Sequence, residues 1–310
     1  MYTQLFAKQR FSQQEQWIKD NLLLEVISGS HAYGCQTKDS DFDVVGITMN
    51  QHQHLFPQNY GYILGFDQMP NFENKECKAD NKITLETGKD VEAAWHSLSN
   101  FFYLVSKGSP NLTEILFVHP TLVTYQHKLG TMIRDRRRDF LSLRMFFSFK
   151  GYCFQQLSRI RKEAKRWKET GTCDNKKRTS LYEESGYDRK MAYHVLRLLD
   201  LIHQILTEGD MDLMRNREEC KKMRSGEWGD FDTFNKFVDE KLLLLDKLST
   251  NCISVAAKPQ TGVLHELLKN CIEEFYGSES KMVQNTEYVS AKEIKEQLNE
   301  IERKIDRISA

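Results

Sequence analysis

No apolar run in this chain is long enough to cross a bilayer, and mean hydropathy is −0.59, which excludes a membrane span. The start, Met1-Tyr2-Thr3-Gln4-Leu5, has no basic segment followed by an apolar core, so no secretory signal is expected. Proline is scarce, at 5 of 310 residues, while 40% of residues are hydrophobic and 11% aromatic. Those proportions exclude a collagen-like chain and a wholly disordered one, and the length suggests two domains. Cysteine forms no Cys-x-x-Cys pair. Seven cysteines stand scattered, at 35, 77, 153, 173, 220, 252 and 271, an odd number. Free thiols in a reducing cytoplasm are the expectation. A zinc site finds little support, because His31/Cys35 and His52/His54 have no second pair at ligand spacing and a tetrahedral site needs four ligands. Net charge is also lacking, with 44 Lys+Arg against 44 Asp+Glu.

What is present changes character along the chain. Ser12-x-x-Glu15 is a capping box and predicts a helix to about residue 21. Residues 22–27 are an apolar, branched run broken by Ser28-Gly29-Ser30, the pattern of a buried strand entering a tight turn. Residues 41–49 alternate and predict a second strand; 60–66 and 83–95 are candidates for more. From Ser97 the period becomes helical, Ser109-Pro110 separates two helices, and beyond about Thr121 nearly everything reads as helix. Helices are expected after Asp188 to Leu206 with Gly209 as the stop, from Asp230/Asp232 to Leu248, and over 260–275. A charged helix over 290–308, with apolar residues at 294, 298, 301, 305 and 308, would pack on the body or on a partner. Oligomeric state is left open.

The most informative stretch runs from Gly29-Ser30 to Asp41-Phe42-Asp43. Small residues at the end of a strand let backbone N–H groups approach an anion, and a helix N-terminus there favours phosphate. On a strand, Asp41 and Asp43 point to one face, where two carboxylates repel unless a cation sits between them. Mg²⁺ takes carboxylate oxygens together with substrate phosphates. Asp-x-Asp alone says little, since Asp39/Asp41, Asp210/Asp212 and Asp230/Asp232 share it, the last as a helix start. On spacing alone, metal-assisted phosphoryl transfer and a solvated acidic strand end stand level.

Gly29-Ser-x-Ala32-Tyr33-Gly34, continued by Ser40-Asp41-x-Asp43-x-x-Gly46, resembles the signature of the DNA polymerase beta-like nucleotidyltransferase superfamily, in its RNA-repair-associated branch. Lys107-Gly108-Ser109-Pro110-Asn111-x-x-Glu114, Gly186-Tyr187-Asp188-x-Lys190 with His194 and Arg197, and Arg224-x-Gly226-Glu227-Trp228 extend the likeness over about residues 22–230. The resemblance implies an α+β fold: a nucleotidyltransferase α/β domain with a mixed sheet over 1–125, then a larger all-helical domain over 126–310. It implies that Gly29 and Ser30 hold nucleotide phosphates and that Asp41 and Asp43 bind two ions, Mg²⁺ or Mn²⁺. A third carboxylate would serve as base and metal ligand; Glu92 aligns better than Asp90. Lys190, His194 and Arg197 fall on one helical face and would grip phosphate; without the resemblance they read as a solvated face partnered by Asp188 and Asp200. Tyr187 either packs or stacks on a base.

The zero charge is a sum of unlike parts. Residues 1–127 carry 9 Lys+Arg against 14 Asp+Glu, 128–178 carry 16 against 5, and 179–310 carry 19 against 25. The basic segment includes Arg136, Arg137, Arg138, Arg161, Lys165 and Arg166, interleaved with aromatics, and fits a polyanion; ordinary amphipathic helices are the alternative. The expectation is a cytoplasmic, metal-dependent enzyme that moves an NMP from an NTP such as ATP to a hydroxyl of RNA, a tRNA 3′ end foremost, with release of pyrophosphate. The rivals are nucleotidylation of a protein or small molecule, and a non-catalytic nucleotide- or RNA-binding module.

Overall fold

The computed structural model describes residues 1–38, 40–56 and 82–284. The strand β1 is Leu22–Ile27, buried at every residue. Five of its six residues are Leu, Val or Ile, with Glu25 the exception, so neither face is suited to water and the strand belongs inside a sheet covered on both sides. Strands β2 (Phe42–Thr48), β3 (Lys82–Thr84), β4 (Asp90–Ser97) and β5 (Val123–Gln126) join it in the order β3-β4-β2-β1-β5. Only β2 and β4 run parallel; the other pairs are antiparallel, so the sheet is mixed.

One sheet face buries Leu22, Val44, Val91, Ala93 and Trp95 against Phe6 of α1 (Tyr2–Gln9) and Ile18 of α2 (Trp17–Asp20). The opposite face lies under α5 (Leu98–Ser106) and α7 (Lys128–Asp135). From there a single apolar cluster continues into α8 (Leu143–Thr170), α10 (Arg189–Glu208), α12 (Phe231–Thr250) and α13 (Thr261–Tyr276). The sheet's outer layer and the helical part therefore share one core. Helix α10 is buried on nearly all sides, which places it at the centre of the helical part. Asp188 caps its start by accepting the Met191 N–H at 3.0 Å. Gly209 ends it at φ +63°, where a Cβ would come within 2.5 Å of the Ser254 carbonyl oxygen.

A buried charge ties the sheet together. Glu25, fully buried in β1, accepts hydrogen bonds from Tyr2 N–H at 2.8 Å, Thr3 N–H at 2.5 Å, Thr124 Oγ1 at 2.5 Å and Thr3 Oγ1. Those donors come from α1 on one side and β5 on the other, so the carboxylate fixes both against β1. Water is replaced by a full set of donors, which makes the burial tolerable.

Several expectations change. The Ser12/Glu15 capping box is present, yet it opens a short 3₁₀ turn before α2 rather than one helix, and α1 precedes it. The 83–95 run divides into β3 and β4 because Leu85 N–H reaches the Lys89 carbonyl at 2.8 Å, closing a hairpin at Gly88. Residues 123–126 form a strand inside a stretch read as helical; Val123-Thr124-Tyr125 has the β-branched and aromatic character to do so. The sheet thus extends to Gln126. Six described cysteines are free thiols. Cys77, the candidate strand at 60–66 and the helix over 290–308 lie outside the described residues. Among the described residues no helix is long and apolar enough to cross a membrane.

Candidate active site

The Gly-Ser turn and the Asp-x-Asp strand meet directly. After β1, the short helix α3 (Gly29–Ala32) begins with Gly29 at φ +60°, a conformation that favours glycine. A Cβ on Gly29 would lie 1.9 Å from Asp43 Oδ2, so only glycine lets the Asp43 carboxylate sit against the turn. Ser28 N–H donates to the Asp43 carbonyl at 2.7 Å and locks the two segments together. Ser30 Oγ has no hydrogen-bond partner among the described residues.

The parallel pairing of β2 and β4 sets Asp43 opposite Glu92 and Phe42 opposite Val91. Side chains paired in register project to the same sheet face, and residues two apart do likewise. Asp41, Asp43, Asp90 and Glu92 therefore share the face turned toward the helical part, while Val91 and Ala93 point into the opposite core. Phe42, between the two aspartates, anchors the strand by stacking on His31 at 4.6 Å, with Lys89 Nζ 5.3 Å from its ring.

Electrostatics separates the carboxylates. Asp90 is held by Lys82 at 2.6 Å and by Thr84 Oγ1 at 2.7 Å, which keep it ionised below the usual carboxylate range. Glu92 has only a looser contact with Lys82 at 3.7 Å. Asp41 and Asp43 accept no hydrogen bond to their carboxylates from any described residue. Desolvation raises the Asp43 carboxyl above its ordinary value; Glu92 and Asp41 push it further up, while Lys190 and Arg197 pull it down. The group is solvent-accessible by area yet hemmed in by the turn, which reconciles its exposure with its desolvation.

The donor set fits a hard divalent cation. Asp41 and Asp43 offer charged oxygens with no competing donor, and Glu92 stands next to Asp43. Among the described residues no three His, Cys, Asp or Glu side chains stand close enough to hold an ion by themselves. Coordination would thus be completed by substrate phosphate and water, the usual habit of Mg²⁺.

Helix α10 supplies cations of unequal kind. Lys190 is exposed, near enough to stabilise the Asp43 carboxylate, and without an ion-pair partner among the described residues. His194 is half-buried; desolvation first, then Arg197, Lys190 and Arg178, lower it to about 3, so it is neutral at physiological pH. Arg197 departs from the expectation of a phosphate-gripping side chain. It is buried, with its guanidinium 4.3 Å from the Tyr33 ring and 3.8 Å from Glu114 Oε2. Tyr33 belongs to the loop after Gly29 and Glu114 to α6 (Pro110–Glu114), so Arg197 clamps the loop from below. The three positions belong to separate motifs of the sequence and meet only in the fold. Tyr187 packs: it is buried, stacks on Phe234 at 5.8 Å and donates to the Gly229 carbonyl at 3.3 Å. Asp188 bonds Arg178, and Asp200 takes the Gln204 amide at 2.8 Å.

The basic segment does not form one exposed stripe. Arg136 pairs with Asp139 at 2.7 Å, Arg138 with Asp210, and Arg137 lies 5.5 Å from the Phe117 ring. Arg161 bonds Asn235 and Asp239, Arg166 pairs with Asp174, and Lys165 stands 3.8 Å from Glu169. The first trio precedes α8 and the second trio lies near its end, about 27 Å farther along a helix rising 1.5 Å per residue. The decoy Asp-x-Asp pairs also find ordinary roles: Asp230 caps α12 through Thr233 N–H at 2.8 Å, and Asp212 accepts Met214 N–H at 2.9 Å. Asp39 lies outside the described residues.

A family model described as RlaP, RNA repair pathway DNA polymerase beta family, matches residues 5–227. That range covers the sheet, the Gly-Ser turn, the carboxylates and α10. No curated protein matches the chain.

Proposed function

The chain belongs to the RNA repair pathway DNA polymerase beta family, and from that premise we propose that it is a metal-dependent nucleotidyltransferase acting on an RNA end. The observation that carries this reading is the contact of the Asp43 carboxylate with Gly29, beside Glu92 on the parallel strand. It joins an anion-binding turn to a cation-binding carboxylate pair, the two things an NTP with its metal requires.

In this account Gly29 and Ser30 receive the β- and γ-phosphates of the NTP. Asp41 and Asp43 would hold two ions, Mg²⁺ or Mn²⁺, with Glu92 as third carboxylate. When bound, such ions would supply neutralisation of phosphate charge and Lewis acidity toward the attacking hydroxyl. Glu92 accepts the proton of the RNA 3′-hydroxyl, whose oxygen attacks the α-phosphorus as the bond to pyrophosphate breaks. Asp90 is the weaker candidate for base, because Lys82 and Thr84 already occupy it. Lys190 faces the phosphates and His194 contributes as a neutral hydrogen-bonding group, while Arg197 positions the loop carrying Gly29 through Tyr33 and Glu114. In this reading the catalytic unit is residues 1–125, and Lys190 and His194 of α10 are contributed from the helical part.

The test is incubation with labelled NTPs, Mg²⁺ or Mn²⁺, and total tRNA. Label is expected in RNA. Label that enters protein and never RNA would overturn the RNA acceptor in favour of protein nucleotidylation, and label in no product would favour a binding module.

A further inference from the structure

One helical turn beyond Lys190 on α10, His194 forms part of the wall of a cavity of about 360 Å³. The cavity lies between α8, α10 and α9 (Thr179–Ser185), and Tyr152, Arg159, Lys162, Arg178 and Tyr182 also line it. Its size lies in the range of small-molecule sites. Three carboxylates face it, and each is already satisfied: Asp188 by Arg178, Asp174 by Arg166, and Glu163 by the Asp174 N–H at 3.0 Å. Arg159 and Lys162, in contrast, have no partner among the described residues. Within the basic segment, Arg136, Arg138, Arg161 and Arg166 are paired, whereas Arg159 and Lys162 are unpaired cations that line a cavity. His194 in the same wall is kept neutral by burial first, then by Arg197, Lys190, Arg178 and Arg224, so it adds no charge of its own. Two phenol rings complete a lining suited to a planar base beside a phosphate.

We propose that this cavity receives the terminal nucleotide of a single-stranded RNA acceptor, with Arg159 and Lys162 on its phosphate and Tyr152 and Tyr182 beside its base. The assignment rests on the RNA-directed reading given above. The incoming NTP has its own proposed phosphate site at Gly29-Ser30, so Arg159 and Lys162, across the cavity from His194, are left for the second substrate. An acceptor end seated here would lie along the same helix face that reaches Asp43.

The experiment measures binding of a labelled, 5′-phosphorylated single-stranded oligoribonucleotide by fluorescence anisotropy across a salt series, and ATP binding in parallel. The full-length wild type is compared with the double variant Arg159→Ala/Lys162→Ala and the conservative Arg159→Lys/Lys162→Arg. The alanine variant should lose at least tenfold in RNA affinity, and its log–log salt slope should flatten by about 1.4, the value for two single-strand phosphate contacts. The conservative variant should recover most of the affinity, and ATP binding should stay within about twofold in both. Unchanged RNA affinity in the alanine variant overturns the cavity assignment while leaving the proposed function intact. A loss confined to ATP would reassign the cavity to the NTP. A wild type that binds no RNA overturns the RNA reading and this proposal with it.

Discussion

Two acidic regions of the same sheet are treated in opposite ways. In β1, Glu25 is fully buried and receives four hydrogen bonds from Tyr2, Thr3 and Thr124. On neighbouring β2, Asp43 accepts none at its carboxylate from a described residue and lies among Asp41 and Glu92, which oppose its ionisation. The fold spends donors from two elements on one carboxylate and supplies none to the other. A charge that is fully met within the protein supports structure. A charge left beside its own kind, against a glycine turn, is open to a cation, which in the proposed function would arrive with substrate. The contrast separates stability from chemistry within adjacent strands.

The largest effect that would break this comparison is on catalysis. Asp41→Ala/Asp43→Ala should lower NMP transfer by about a thousandfold or more, with the circular-dichroism spectrum unchanged. Undiminished transfer would remove the metal assignment. Next, Glu92→Gln should cost about 10²–10⁴ in kcat, the range for loss of a general base, while Asp90→Asn should cost less than about threefold. The reverse order would make Asp90 the base and Lys82 its modulator.

On the structural side, Glu25→Gln should destabilise by about 2–3 kcal/mol, read as a lowered denaturation midpoint, because charge-assisted bonds become neutral ones and one acceptor is lost. Transfer per folded molecule should not change. A larger loss of activity than of stability would mean that Glu25 also belongs to the site. The smallest effect has the opposite sign. A carboxyl whose folded pKa is raised contributes stability while protonated, and that contribution is lost as pH rises through the folded value. Ionised Asp43 thus opposes folding at neutral pH. Asp43→Asn should raise Tm by about 1–3 °C at neutral pH, allowing for solvent screening, and the gap should close as pH falls into the carboxylate range. A lowered Tm would show that the ionised Asp43 is satisfied within the chain after all.

Much of this arrangement was legible in the sequence where local chemistry decides it. The apolar run of β1, the Gly29-Ser30 turn, the Asp41-Phe42-Asp43 strand, and the Asp188 and Gly209 limits of α10 follow from patterns a few residues long. Features that depend on distant partners were not legible. Strand β5 is four residues long and takes its place from pairing with β1. Arg197 looked like one more cation on a helix face until Tyr33 and Glu114, far off in the chain, closed over it. The basic segment suffered the same limitation. A charge count over 128–178 cannot see Asp210 beside Arg138 or Asp239 beside Arg161. Nor could the sequence show that Lys82 of the neighbouring strand pairs closely with Asp90 and only loosely with Glu92.

The central claim is that Asp41 and Asp43 are left unsatisfied for metal. Its most direct test counts ions rather than turnover. Free Mn²⁺ can be followed by electron paramagnetic resonance as it is titrated into the protein with a non-hydrolysable NTP analogue present. The wild type should bind protein-dependent Mn²⁺ beyond that held by the analogue alone, and Asp41→Asn/Asp43→Asn should bring binding down to that background. Equal binding by the two proteins would contradict the account.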